Sequence, residues 1–198
     1  MARSELTLVL GLGESGLAMA RWLARQGVAL RVADSRDTPP GVERLRAEAP
    51  AAEIVTGPFA ETLLAGVGRL AISPGLDPRQ PLVQAARARG IPVVGEMDLF
   101  VQALADLGVR DTARLIAITG TNGKTTTTTL VGEMLRGVGL DGVVAGNISP
   151  AALDVIMERQ DAGRPLPQAW ALELSSFQLE TGPALDAASA TVLNVTDD

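Results

Sequence analysis

Twice along this chain an apolar run ends at glycines and passes straight into a helical pattern. Leu6–Leu10 leads into Gly11-Leu12-Gly13-Glu14-Ser15-Gly16 and helix spacing to about Gln26. Arg114–Ile118 leads into Thr119-Gly120-Thr121-Asn122-Gly123-Lys124, then Leu130, Val131, Met134 and Leu135 at helical spacing. A strand that turns on glycine into a helix opens a parallel β-α-β unit, because parallel strands need a crossover that carries the chain back to its starting edge. Two such openings predict two α/β units in series.

The rest of the pattern agrees. Strands are expected at Val28–Ala33, Glu53–Thr56, Arg69–Ile72 and Ile91–Val94, with a helix over Pro81–Arg89. A helical stretch, Asp98–Leu107, closes the first unit by about Arg110. The second unit adds strands at Asp141–Ala145, Ala169–Leu174 and Ser189–Val195, and a helix at Ala151–Gln160. The predicted fold class is α/β: a Rossmann-like parallel-sheet domain over residues 1–110, then part of a P-loop-type α/β domain over 111–198. The closing "ATVLNVTDD" brings Asp197 and Asp198 to the C-terminal edge of a strand, where open α/β sheets bind ligands. A chain that stops there is expected to be a piece of a longer protein.

Composition excludes several classes. Hydrophobic residues make up 46% and aromatics 3%, so the core is built from Ala, Leu, Val and Ile. A formal net charge of −6 argues against a broad nucleic-acid footprint, and an anionic ligand must be held by local devices. The chain has no cysteine, which removes disulfides and thiolate metal sites, and no histidine, which removes the commonest general base. No apolar run approaches the ~18 residues of a membrane span. The start lacks the secretory order of basic, apolar and cleavage regions, so a cytoplasmic protein without a membrane partner is expected.

The first turn fits G-x-G-x-x-G between a strand and a helix, the arrangement that lets a backbone approach a phosphate at a helix N-terminus. Asp34 closes the next strand where a dinucleotide enzyme binds ribose, which suggests NAD. Ser35 and Arg36 follow at once, and a hydroxyl beside a cation suits a phosphate or diphosphate better. The same glycines could also serve only to pack helix on strand. Ser73-Pro74-Gly75 adds a loop at this edge and reads equally as an ordinary turn.

The second turn has the parts of a P-loop: Gly120 and Gly123 in the turn, Lys124 for the outer phosphates, and the Thr125 hydroxyl for Mg²⁺. Only two residues separate the glycines, where the usual motif has four. Threonine is a poor helix former, so the run Thr125–Thr129 needs a reason. Thr125 and Thr126 find one in phosphate or metal binding and in capping, whereas Thr127–Thr129 have none. "AWALELSSFQLE" carries Glu173 to the sheet edge beside Ser175 and Ser176, a natural Mg²⁺ ligand or else a surface glutamate. Asn147 in "AGNISP" follows the neighbouring strand and could meet a substrate, or could be a turn residue.

"TGTNGKTT", "GNI" and "LELSSFQLE", in that order behind "GLGESG", resemble the Mur ligases of bacterial cell-wall synthesis over the whole chain. "TGTNGKTT" alone would also admit folylpolyglutamate synthases; the later motif and the early glycine turn narrow the choice. Within the family the resemblance is to the branch that joins D-glutamate to UDP-N-acetylmuramoyl-L-alanine. It implies a UDP-substrate-binding first domain, a central ATP-binding domain cut partway, and an absent third domain. It implies ATP and Mg²⁺ as cofactors and a monomer. Gly120, Thr121, Asn122, Gly123, Lys124, Thr125 and Thr126 would cradle ATP, with Lys124 neutralising charge on the γ-phosphoryl group. Thr125 and Glu173 would hold magnesium. Glu14, Ser15, Ser35, Arg36, Gly75 and Asn147 would contact the UDP-muramoyl substrate, although Glu14 stands where the family can have an apolar residue. The implied chemistry is attack of the alanyl carboxylate on the γ-phosphate, then displacement of phosphate by the amine of D-glutamate. The family pattern continues past "NVTDD" with a histidine, so this stretch by itself is not expected to be catalytically competent. An NAD-dependent oxidoreductase, resting on Asp34, and a nucleotide-binding module without chemistry are the competing readings.

Overall fold

The computed structural model describes residues 6–182 and 185–196. The chain divides into two compact units, Met1–Glu96 and Met97–Asp198. The first runs β1 (Leu6–Leu10), α1 (Glu14–Arg25), β2 (Leu30–Asp34), α2 (Val42–Glu48), β3 (Glu53–Thr56), a 3-10 turn (Glu61–Leu64), β4 (Val67–Ile72), α3 (Pro81–Ala88) and β5 (Val93–Val94). Its strands pair in parallel in the order β3-β2-β1-β4-β5. Leu8, Val9 and Leu10 have no exposed surface, as expected of a strand covered on both faces. The strand order reverses between β1 and β4, and a ligand crevice opens at such a switch point. Strand ends are flush there: Gly11 donates its N–H to Ala33 O at 2.8 Å, and Ser73 donates to Leu10 O at 2.9 Å. The turn after β1, the end of β2 and the Ser73 loop therefore share one edge.

The second unit takes in most of α4 (Glu96–Asp106), then β6 (Arg114–Thr119), α5 (Lys124–Gly137), β7 (Gly142–Gly146), α6 (Ala152–Asp161), β8 (Ala169–Glu173), α7 (Ser176–Thr181) and β9 (Ser189–Val192). Its parallel order is β7-β8-β6-β9. Helix α4 goes with this unit because Phe100 meets the buried Trp170 edge-on, with ring centroids 4.8 Å apart; the sequence pattern alone puts the join after it, near Arg110.

The sequence pattern and the structure differ in instructive places. The stretch "LELSSFQLE" does not continue as strand. Ser175 accepts the Gln178 N–H, and the Gln178 side chain accepts the Ser175 N–H, so a capping box starts α7 two residues after β8. Strand β9 stops at Val192, because the chain beyond it bonds to the loop after β6. Asp197 and Asp198 lie outside the described residues. Helix α5 reaches the sheet through Thr128, fully buried, and Gly132, where a Cβ would stand 2.4 Å from Val144 Cγ2. Leu130, Met134 and Val138 face outward, 57%, 67% and 74% exposed.

Candidate functional site

Buried Leu115 and Ile118 anchor β6 and deliver its last residue, Thr119, to the sheet edge. The chain then turns through Gly120 at φ 145° and Gly123 at φ 81°, backbone that only glycine adopts freely. Helix α5 begins at Lys124 without a side-chain cap. Among the described residues, the N–H groups of Gly123, Lys124, Thr125 and Thr126 have no acceptor. Uncapped N–H groups at a helix start form a cradle for an anion, which the helix dipole favours. The Lys124 ammonium lies over this turn and donates to Gly120 O at 2.7 Å and Thr121 O at 3.0 Å.

Strand β8 brings Glu173 alongside, 3% exposed. Thr125 Oγ1 donates to Glu173 Oε2 at 2.7 Å, and Asn147 Nδ2 donates to Glu173 Oε1 at 3.3 Å. The Asn147 N–H donates to Glu173 O at 2.8 Å. Gly146 permits this approach, since a Cβ there would sit 2.3 Å from Glu173 O. A hydroxyl and a carboxylate in hydrogen-bond contact at a phosphate cradle form a hard-oxygen donor pair, which suits Mg²⁺ that keeps several waters. Among the described residues no cluster of three or more His, Cys, Asp or Glu gathers.

Two of the remaining threonines, Thr128 and Thr129, have a local answer. Thr128 Oγ1 donates to Lys124 O and Thr129 Oγ1 to Thr125 O, both at 2.8 Å. They give helix carbonyls a second donor, a task the sequence reading did not find for Thr128 and Thr129, and no threonine side chain caps the start of α5. Thr126 is exposed, with its amide in the cradle.

In the first unit a cavity of about 210 Å³ lies at the switch point, lined by Gly11, Gly13, Ser35, Arg36, Ser73 and Gly75 among others. Glu14 and Ser15, on the first turn of α1, do not line it. Asp34 is buried at the cavity and fully engaged. Its Oδ2 accepts from Leu12 N–H at 2.6 Å and Arg36 Nη2 at 2.7 Å; its Oδ1 accepts from Arg36 N–H and Nε at 2.9 and 2.8 Å. An NAD ribose would have to break these bonds, so the oxidoreductase reading loses its acceptor.

The Arg36 guanidinium, aided by the two amides and opposed by burial, brings the Asp34 carboxyl down to about 2 from 3.8. A depressed acid contributes stability above its unfolded pKa and loses it as pH falls through the folded value. Arg36 is half exposed, so solvent screens the pair. The first unit is expected to lose about 1–2 kcal/mol from this group between roughly pH 5 and 2. Urea titrations across that range should show Asp34→Asn less stable at neutral pH and flatter in acid; an unaltered acid dependence would contradict the assignment.

Sequence reasoning missed Asn194, which bonds to the loop after β6. It opens the "NVTDD" of the family pattern, to which no task was attached.

Residues 5–95 match the model of the Mur ligase MurD-like N-terminal domain, and residues 118–198 match the Mur ligase middle domain. The chain is 63% identical over 191 residues to a protein of Aromatoleum aromaticum named UDP-N-acetylmuramoylalanine--D-glutamate ligase, covering 96% of this chain and 41% of that one. A protein of the same name from Ralstonia nicotianae is 56% identical over 201 residues, covering 98% and 40%. The chain thus spans about two fifths of the length of these relatives. Among solved structures, the UDP-N-acetylmuramate:L-alanyl-gamma-D-glutamyl-meso-diaminopimelate ligase of Neisseria meningitides superposes with TM-score 0.57 at 14% identity, over 99% of this chain and 62% of that one. The UDP-N-acetylmuramate-alanine ligase of Thermotoga maritima gives 0.52 at 18% identity, over 98% and 42%. These structural likenesses show the fold. Among the described residues no helix is long and apolar enough to cross a membrane.

Proposed function

Because this chain belongs to the Mur ligase family, we propose that it forms the UDP-substrate-binding unit and the start of the ATP-binding unit of a D-glutamate-adding ligase. The whole protein would act in the cytoplasm as a monomer. It would join D-glutamate to UDP-N-acetylmuramoyl-L-alanine through an acyl phosphate at the expense of ATP. One observation carries the reading: uncapped amides, an ammonium and a hydroxyl–carboxylate pair converge at the start of α5.

The amides of Gly123–Thr126 would receive the phosphates, and Gly120–Asn122 would form the frame of the turn. Lys124 would leave the carbonyls of Gly120 and Thr121 to meet the outer phosphate. Thr125 and Glu173 would hold Mg²⁺, which supplies charge neutralisation at the phosphates when bound. Asn147 holds Glu173 in place and offers its amide to the muramoyl substrate. In the first unit Arg36, Ser35 and Gly75 would meet the uridine diphosphate, with Glu14 and Ser15 nearby on α1. No nucleophile is required, since phosphoryl transfer to a carboxylate depends on alignment and charge neutralisation.

Calorimetric titration of the chain tests this. Saturable binding of Mg·ATP and of UDP-N-acetylmuramoyl-L-alanine, with none of NADH, is the expected result. Binding of NADH with no response to either of the others would overturn the reading.

A further inference from the structure

The loop after β6 is held by the segment that follows β9. Beyond β9 the chain runs alongside the first arm of the loop. Leu193 donates its N–H to Thr119 O at 2.9 Å, and the Thr121 N–H donates to Asn194 O at 3.1 Å. The Asn194 carboxamide then takes both main-chain polar groups of Asn122. Its Oδ1 accepts the Asn122 N–H at 2.8 Å, and its Nδ2 donates to Asn122 O at 3.1 Å. The Thr196 N–H donates to Thr121 Oγ1 at 3.1 Å. The fit is close: a Cβ on Gly120 would meet Leu193 Cβ at 3.1 Å and the Asn194 main chain at 3.2 Å.

These bonds divide the amides of the loop into two sets. Thr121 and Asn122 point theirs at residue 194, while Gly123 to Thr126 keep theirs for a ligand. The clamped arm also supplies the two carbonyls that hold Lys124. A carboxamide accepts and donates at once from two separate atoms, so it can hold an N–H and a C=O of the same residue; an ionised carboxylate of this length has no donor.

We propose that Asn194 is a positioning residue for the phosphate loop. It fixes the Asn122 main chain, so that the amides of Gly123–Thr126 and the Lys124 ammonium are aligned before a nucleotide arrives. Asn194 acts through Asn122 and does not itself contact the phosphates. The role rests on the nucleotide reading above. Ordering the loop beforehand removes an entropy loss from binding, and two net hydrogen bonds correspond to roughly tenfold to thirtyfold in affinity.

The test uses this chain, Asn194→Ala and Asn194→Asp, with a non-hydrolysable ATP analogue and Mg²⁺ as the probe. Amide exchange by NMR reads the clamp, calorimetry reads affinity, and thermal unfolding reads the fold. Asn194→Ala should speed exchange at the Asn122 amide by about tenfold or more and weaken analogue binding by roughly tenfold to thirtyfold, with the unfolding midpoint lowered by no more than about a few degrees. Asn194→Asp keeps the acceptor and should leave the Asn122 amide protected. Unaltered affinity in Asn194→Ala overturns the proposal. So does lost affinity that comes with a lowered midpoint and no selective change at Asn122, the mark of a merely structural residue. If the unsubstituted chain fails to bind the analogue, the nucleotide reading falls and takes the positioning role with it; the unsubstituted titration tells these outcomes apart.

Discussion

Lys124→Ala is expected to weaken Mg·ATP binding by the chain about tenfold or more, and to slow phosphoryl transfer in a full-length ligase carrying it by roughly 10²–10³. The ammonium is already at the mouth of the amide cradle, over the carbonyls of Gly120 and Thr121. Exchanging two carbonyl dipoles for a phosphate is a short movement, and it gains most where negative charge builds up during transfer. The fold should tolerate the change. Two bonds are lost, but a positive charge is also removed from the positive end of the α5 dipole, and the two effects oppose within about 1 kcal/mol. Initial rates of ADP formation, with urea denaturation as the control, separate function from fold. Turnover within threefold of the unsubstituted enzyme would refute the role.

Gly16→Ala should have the largest effect on the first unit. A Cβ there would stand 1.8 Å from Gly11 O and 2.8 Å from Gly11 C. No rotamer relieves the clash, because the Cβ position follows from the backbone. Helix α1 would have to lift from the end of β1, and with it the buried Ala18, Met19, Trp22 and Leu23. A loss of about 3 kcal/mol or more is expected, enough to unfold this unit at moderate urea. Gly13→Ala is the contrast: nothing lies within 4 Å of its Cβ, and its φ of −81° is ordinary. It should change stability by about 1 kcal/mol or less. The open space at Gly13 lies on the switch-point cavity, so this substitution is expected to weaken UDP-substrate binding instead. Denaturation curves showing equal effects at the two positions would contradict this division of roles.

Much of this was legible beforehand. Two strand–glycine–helix openings and the strands behind them announce parallel α/β architecture, because each signal is local. Elements set by a few residues were harder to read. Helix α2 and the 3-10 turn are too short to show a period. Helix α7 was absent from the sequence reading, since a capping box was not recognised behind apolar residues. Lys124, Thr125, Glu173 and Asn147 could each be named from their motifs, but their joining through the Glu173 carboxylate could not. Asp34 carried the competing NAD reading as a ribose acceptor, and its four hydrogen bonds to Leu12 and Arg36 give it another task.

The order of residues alone was enough to establish that glycines would bend the main chain after β1 and β6, and that a lysine and a hydroxyl would open α5. Backbone freedom at glycine and the chemistry of single side chains are local properties. The direction in which each amide of the second turn points was decided elsewhere. Asn122 finds its partner in Asn194, 72 positions along the chain. Only the pairing of β9 beside β6 brings that carboxamide within reach. A hydrogen-bonding group takes its role from what the folded chain sets opposite it, and no local pattern records that.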